Sequence, residues 1–164
     1  MKNIILSHYT IKDIEADPWK ETWDTLVDFG EKMAPKLAPM KIKLTIRKII
    51  LDEISQKNLM AANMVTIQSP EIKIEETPIE DLMMLELGYA ECESCKTPDG
   101  VGFSCRTLKD FDGNERMALP EAFFMEATLR VAFKSEHDDG CGSSNCCSCS
   151  GGCEDEEQSG SSKD

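Results

Sequence analysis

The sequence is short of histidine, of positive charge and of long apolar runs. Only two histidines, His8 and His137, occur in 164 residues, so the pattern offers no Ser-His-Asp arrangement for nucleophilic catalysis. Lysine and arginine number 18 against 31 acidic residues, which gives a net charge of −13. Because nucleic acids and anionic membrane surfaces repel an acidic protein, we expect neither as a partner.

The apolar run near the N-terminus is Ile4-Ile5-Leu6, which is too short for a signal peptide, and no window approaches the length of a membrane span. We therefore expect a cytoplasmic protein. In that reducing compartment, eight cysteines are better explained as metal ligands or redox groups than as structural disulfides.

The cysteines are absent up to residue 91 and then form two groups. In the first group, the two-residue spacing of Cys92 and Cys95 lets both sulfurs turn toward one point. A Pro-Asp-Gly-Val-Gly loop is expected to fold Cys105 back toward this pair, and Arg106 would stabilise thiolates by lowering their pKa. Three thiols are one ligand short of a closed zinc site. The fourth ligand is open among Glu91, Glu93, a cysteine of the second group and an exogenous thiol.

The second group lies in a segment of Gly, Ser and acidic residues and consists of Cys141, Cys146, Cys147, Cys149 and Cys153. Glycine and serine spacers give the backbone freedom to wrap around an ion. Adjacent cysteines favour a multinuclear or adaptable metal site over a zinc finger, and His137 is a candidate additional ligand. With almost no large apolar residue, this segment predicts a disordered tail over 135–164 after a domain over 1–134.

Hydrophobic periodicity within the domain predicts an α/β protein. Asp17 is expected to cap a helix that has Pro18 at its first position and ends between Pro35 and Pro39. Asp112-Gly113 predicts a tight hairpin turn between residues 107–111 and 115–119, with Cys105 and Arg106 at the start of a hairpin strand. The remaining predictions are a loop over 9–17, a second loop that carries Cys92 and Cys95, strands over 3–6, 41–50, 63–68 and 72–75, and helices over 51–62, 77–82 and 120–133.

Several motifs, taken in their order, resemble a known family. They are Asn63-Met-Val-Thr-Ile-Gln, Pro78-Ile-Glu-Asp, Cys92-x-x-Cys95 followed by Cys105-Arg106-Thr-Leu, the Asp-Gly turn and Leu119-Pro-Glu-Ala. The order is similar to that of a prokaryotic thioredoxin-like family described as domain of unknown function 2703, over residues 1 to about 134. The resemblance implies a thioredoxin-like sheet with flanking helices. It brings no established activity.

Two features depart from this pattern. Members of the family often carry a Cys-x-x-Cys near the first strand, where a thioredoxin keeps its redox pair, whereas residues 9–19 of this chain contain no cysteine. A thioredoxin also places a cis-proline before its third strand, and here Asn63 and Met64 precede Val65. We therefore expect the fold to be kept without oxidoreductase chemistry at the usual position.

The cysteines lead to a first functional hypothesis, which is thiolate binding of a soft metal or metalloid such as zinc, copper(I) or arsenite. The tail would assist capture or delivery, and the partner would be a metal ion or a thiol-bearing protein. The alternative is a thiol–disulfide or sulfur-transfer protein in which Cys92 attacks, Cys95 resolves and tail cysteines exchange electrons with the pair. A third reading is an interaction module whose acidic tail docks on a basic partner.

Overall fold

The computed structural model describes residues 1–134 of the chain. The predicted tail over 135–164, with its five cysteines, lies outside the described residues. None of the helices within 1–134 combines the length and hydropathy that a membrane span requires. The elements are β1 (Lys2–Ile11), α1 (Asp17–Leu37), β2 (Ile42–Leu51), α2 (Gln56–Ala61), β3 (Val65–Ser69), β4 (Ile74–Pro78), α3 (Ile79–Met83), β5 (Leu87–Lys96), β6 (Gly102–Lys109), β7 (Glu115–Arg116) and α4 (Glu121–Ala132), with short 3-10 turns at Ala38–Met40 and Pro70–Ile72.

The central sheet has four strands in the order β2-β1-β3-β4. Strands β1 and β2 are parallel, and their pairing runs from Lys2 opposite Ile42 to Ile11 opposite Leu51. Strand β3 is antiparallel to β1, and β4 is antiparallel to β3. The predicted α/β class is confirmed as a mixed sheet flanked by helices.

Helices α1 and α4 pack together with this sheet around one apolar cluster, which we call the main core. Leu26 and Phe29 of α1, Phe124 of α4 and Leu6 of β1 are all fully buried in it. The rings of Phe29 and Phe124 lie 6.0 Å apart. At Gly30, a Cβ atom would lie 2.6 Å from Cγ1 of Ile46, so the absence of a side chain lets α1 lie close against β2.

A second, three-stranded sheet follows in the order β5-β6-β7. The predicted Asp-Gly hairpin is confirmed, because Leu108 pairs with Arg116 and Gly113 adopts a positive φ of 84°. The segment that carries Cys92 and Cys95 was expected as a loop, and that expectation is wrong. It is strand β5, and a turn over residues 97–101 joins it to β6.

Strand β1 is longer than the predicted 3–6, and the predicted loop from Tyr9 starts too early. The sequence hid this extension because Ser7, His8 and Thr10 are polar, yet all three are buried. Arg47 Nε donates a 3.1 Å hydrogen bond to Ser7 Oγ. A buried polar residue with a partner is compatible with a strand interior, which an apolar pattern alone does not reveal.

The start of α1 also differs from the prediction. Ala16 is the N-cap residue, without a side-chain cap, and Asp17 is the first helical residue. The Asp17 N–H donates to Ser94 Oγ at 2.9 Å, so a distant residue of β5 satisfies this helix end. The helix ends at Leu37, as predicted. The predicted helix over 51–62 is shorter, since β2 extends to Leu51 and Ser55 caps α2.

Candidate thiolate site

The β5–β6 hairpin brings Cys92, Cys95 and Cys105 together. Their three Sγ atoms all lie within 4.8 Å of one another, so the predicted convergence is confirmed. We call these three residues the thiolate site. The strand register explains how it forms: Glu91 pairs with Ser104 and Lys96 with Gly102, so five steps along β5 match two steps along β6. Residues three apart face opposite sides of a regular strand, and this bulge is what turns Cys92 and Cys95 to the same place.

Two of the three sulfurs are covalently joined. Cys95 and Cys105 form a disulfide, with their Cα atoms 6.5 Å apart. Both residues are buried, with exposed fractions of 0% and 3%. Cys92 is half-buried and is the cysteine without a disulfide partner within residues 1–134. An accessible thiol therefore lies beside a disulfide that solvent does not reach.

The surroundings of the thiolate site are apolar. The two disulfide cysteines belong to a buried group that we call the second cluster; its other members are Ile11, Ile14, Ala16, Trp19 and Ala62. Phe103 packs on Trp19 with ring centroids 5.7 Å apart. This cluster lies between the end of β1 and the start of α1. An uncompensated charge is costly in such surroundings, and a neutral species is favoured.

Ser94 connects the thiolate site to helix α1. Its hydroxyl oxygen lies 3.2 Å from Cys92 Sγ and accepts the N–H of Asp17. Because that oxygen accepts a bond from the helix, the hydroxyl hydrogen is available to the sulfur. Sequence reasoning missed this residue, since the contact joins positions 77 apart. Its place between Cys92 and Cys95 was the one signal that pointed to it.

Arg106 has a different partner from the one expected. Neighbouring residues of a strand point to opposite faces, so Arg106 points away from Cys105. Its guanidinium forms an ion pair with Glu80 in which both side chains are buried, and it donates to the Met60 carbonyl at 3.4 Å. Burial lowers the pKa of Arg106 to about 10, which leaves it cationic at neutral pH. Its charge is compensated by Glu80, so the predicted stabilisation of the thiolates by Arg106 is wrong.

The fourth ligand is not supplied by the expected acidic residues. Within residues 1–134 the metal-ligating group around these sulfurs has three members, and neither Glu91 nor Glu93 belongs to it. His8 is a packing residue within β1: its Nε2 lies 2.8 Å from Asn63 Oδ1 and its ring stacks on Trp23. His137 and the tail cysteines lie outside the described residues.

Fold and site together define a mixed α/β protein with a cluster of three cysteines on a hairpin. The chain belongs to the family described as domain of unknown function 2703, whose family model matches residues 3–128. The matched range includes Cys92, Cys95 and Cys105. Comparison with curated proteins and with solved structures gave no match.

Proposed function

We propose that the reduced protein binds a soft metal ion or metalloid through the thiolates of Cys92, Cys95 and Cys105. The observation that carries this proposal is the mutual distance of the three Sγ atoms, all within 4.8 Å. Sulfurs that share one ion must lie about that close, because a thiolate bond to a metal is only about 2.3 Å long. Thiolates select soft ions over hard ones such as magnesium or calcium.

The charge of the three thiolates favours a trivalent ion. Three thiolates carry three negative charges into surroundings made of residues such as Ile14 and Trp19. A trivalent ion of the arsenite class leaves the complex neutral, whereas zinc leaves one negative charge and copper(I) leaves two. Burying a net charge is costly, and the nearby Arg106 is already paired with Glu80. Arsenite would release three molecules of water as it takes three thiols.

The disulfide gives this site two states. With Cys95 and Cys105 joined, a single thiol remains and no ion can be held by three thiolates. Reduction opens the site, which suits a protein of the reducing cytoplasm. In this proposal the cysteines of the acidic tail capture the ion or deliver it to the domain.

We further propose that the scaffold is thioredoxin-like. The order β2-β1-β3-β4 supports this, with β1 and β2 parallel and β3 and β4 antiparallel. The thiolate site lies beside the start of α1, because Ser94 accepts the Asp17 N–H. That is the position at which a thioredoxin keeps its redox pair. Residues 9–19 of this chain contain no cysteine. In this proposal the thiols of the β5–β6 hairpin occupy the position that such cysteines would have.

The test is a binding titration of the reduced chain without oxygen, in which the five tail cysteines are replaced by serine. We expect one arsenic atom per chain, and Cys92→Ser in the same background to weaken binding at least about 100-fold through the loss of one ligand. Ser104→Ala, an exposed position on β6, is the matched control and should bind as before. Equal binding by the Cys92→Ser protein contradicts the proposal.

The second candidate is thiol–disulfide exchange with a thiol-bearing protein. What favours it is the half-buried Cys92 beside the Cys95–Cys105 bond, an attacking thiol next to its electrophile. In this case the Cys92 thiolate attacks the Cys95–Cys105 bond and forms a disulfide with one of its sulfurs, and the partner's thiolate then attacks Cys92 Sγ, which leaves a Cys92–partner disulfide and both Cys95 and Cys105 reduced. Trapping with a cysteine-containing peptide distinguishes the two functions, because exchange predicts an adduct at Cys92 and metal binding requires none.

A further inference from the structure

The two outer strands of the central sheet differ in how well their edges are protected. Strand β4 has five residues, its pairing with β3 is interrupted by a register shift, and it ends in Pro78. Short length, bulges and proline are features by which natural sheets prevent further strands from pairing. Strand β2 has ten residues, pairs with β1 without interruption and contains no proline. Within residues 1–134, β1 is its only strand neighbour, so β2 has a long free edge.

Alternate residues of β2 direct their backbone groups to this free edge. The carbonyl of Lys41 accepts the N–H of Lys2. At the other end of the strand, the carbonyl of Leu51 accepts the N–H of Lys12. The odd-numbered residues from 41 to 51 therefore face β1, and the even-numbered residues between them present a row of N–H and C=O groups to the outer edge. These outward residues are Ile42, Leu44, Ile46, Lys48 and Ile50.

The side chains on one face of β2 form an apolar groove with α1. Leu44 and Ile46 line this groove together with Trp23, Val27 and Gly30 of the helix. Its lining residues come from α1 and β2, so the groove follows the outer side of β2. A strand added to this edge would direct every second side chain toward the groove, since side chains alternate between the two faces of a sheet. Apolar side chains suit these positions.

Positive charge is concentrated on the same strand. Residues 41–51 contain four basic residues and no acidic one, although the chain as a whole carries a net charge of −13. Lys43 and Arg47 are exposed and point to the face opposite the groove. Lysines on an edge strand oppose pairing with a second copy, because like charges would meet. They attract an acidic strand, so charge complementarity favours an acidic segment of another protein over a second copy of this chain.

We propose that the free edge of β2 binds an extended segment of a partner protein, with alternating apolar and acidic residues, as a fifth strand of the central sheet. The even-numbered residues of β2 supply the backbone hydrogen bonds, as in other cases of strand addition. The apolar side chains of the segment enter the groove beside α1, and its acidic side chains lie next to Lys43 and Arg47. This inference goes beyond the proposed function, since β2 contributes no cysteine to the thiolate site.

The first test is a binding titration of the full chain with a defined peptide. The probe is a blocked peptide of about eight residues, within the usual length of a strand, in which valine alternates with glutamate. Fluorescence anisotropy of a dye at one end measures binding. We expect Lys43→Glu to weaken binding about fivefold, because one attractive surface pair becomes repulsive. Lys57→Glu, an exposed position on α2, changes the net charge equally and should bind as the wild type does.

The second test concerns the backbone of β2. Lys48→Pro removes an outward N–H and no hydrogen bond to β1, which an edge strand tolerates. Lys48→Gln removes the same charge and keeps the N–H, so it is the matched control. We expect the proline variant to bind about tenfold or more weakly than the glutamine variant, because its ring also blocks the approach of another strand. Urea unfolding shows whether the proline variant folds, and Lys43→Glu tests the inference without it.

Hydrogen exchange of the free and the peptide-bound chain locates the contact. Amides of the even-numbered residues from 42 to 50 should become protected when the peptide is added. Three results overturn the inference: unchanged binding by Lys43→Glu, equal binding of a peptide in which valine alternates with lysine, or protection elsewhere in the chain. Protection of the same amides without peptide also overturns it. In a dimer such protection would assign the edge to a second copy, and in a monomer to another segment of this chain.

Discussion

The main core and the second cluster are both buried, yet they are held together in different ways. The main core takes apolar residues from β1, β3, α1 and α4 and contains no cysteine. The second cluster has seven buried members, two of which are the cysteines of a disulfide. Stabilisation by burial scales with the apolar area removed from water. The larger group therefore maintains the fold, and the smaller one depends on a covalent bond, or a bound ion, that chemistry can change.

The largest expected effect comes from detaching the hairpin from the rest of the protein. Arg106 of β6 pairs with Glu80 of α3, and Ile79 and Met83 of α3 lie in the main core. We expect Glu80→Met to lower the free energy of unfolding by about 3 to 5 kcal/mol, because it leaves a buried guanidinium without its counter-charge. Urea unfolding measures this change.

The matched control for this prediction removes both charges. The double variant Arg106→Met, Glu80→Met should have a free energy of unfolding within about 1 kcal/mol of the wild type, because no charge is left buried without its partner. A single Glu80→Met variant as stable as the wild type would show that the ion pair does not attach the two regions.

The next effect is a loss of stability in acid, and it arises from a residue of the central sheet. Burial lowers the pKa of His8 to about 4. The positive charge of Lys48 also lowers this pKa, whereas the hydrogen bond to Asn63 raises it. The unfolded chain takes up a proton at His8 below about pH 6.5, and the folded protein does so only below about 4. Between these values the unfolded state binds more protons, so stability falls as pH falls. The loss amounts to about 3 kcal/mol.

Urea unfolding at pH 7 and at pH 4.5 measures this dependence. His8→Gln keeps a donor for Asn63 and cannot titrate, so its stability should fall less over the same interval. Parallel curves for the two proteins would show that other groups cause the acid sensitivity. The state of the Cys95–Cys105 bond should not alter the difference between them.

The third effect concerns the second cluster alone. The disulfide joins residues ten apart. By restricting the unfolded chain, a disulfide across a loop of that size stabilises the folded protein by about 2 to 3 kcal/mol. Reduction should lower the free energy of unfolding by this amount, and arsenite should restore stability to the reduced chain by binding the folded state. Cys105→Ser has no such bond and should not respond to reductant. An equal response from that variant would assign the effect to other thiols.

The same comparison explains what the sequence could predict. Elements that bury an apolar face, such as α1 and α4, follow from periodicity, as does β2, whereas the β6–β7 hairpin follows from its Asp-Gly turn. The convergence of Cys92 and Cys95 was expected from spacing and is confirmed, but a bulged strand produces it. Cys105 and Arg106 were expected at the start of a hairpin strand, which is confirmed as β6, and the alternation of side chains along that strand points Arg106 away from Cys105.

Other features could not be predicted from local patterns. Two buried polar residues of β1 have partners elsewhere in the fold, Ser7 in Arg47 of β2 and His8 in Asn63. A periodicity argument counts such residues as exposed. Ser94 is a similar case, because its partner Asp17 belongs to an element at the far end of the sequence. Contacts across the fold determine both, and no local sequence pattern reveals which residues make those contacts.

The smallest expected effect lies where the two regions meet, at Ser94. Replacing it by alanine leaves the Asp17 N–H of α1 without its acceptor, and the loss of a cap of this kind costs about 1 kcal/mol. The same change removes the hydroxyl 3.2 Å from Cys92 Sγ. A thiolate accepts such a hydrogen bond, and the thiolate is the form that reacts with alkylating agents.

We therefore expect Ser94→Ala to slow the alkylation of Cys92 by iodoacetamide at neutral pH about threefold, the rate equivalent of one modest hydrogen bond. Ser104→Ala, on the neighbouring strand and exposed, should change neither stability nor rate. A loss of stability without a change in rate would mean that Ser94 serves the helix end alone. Cys92 would then owe its place in the thiolate site to the β5 bulge and not to its connection with α1.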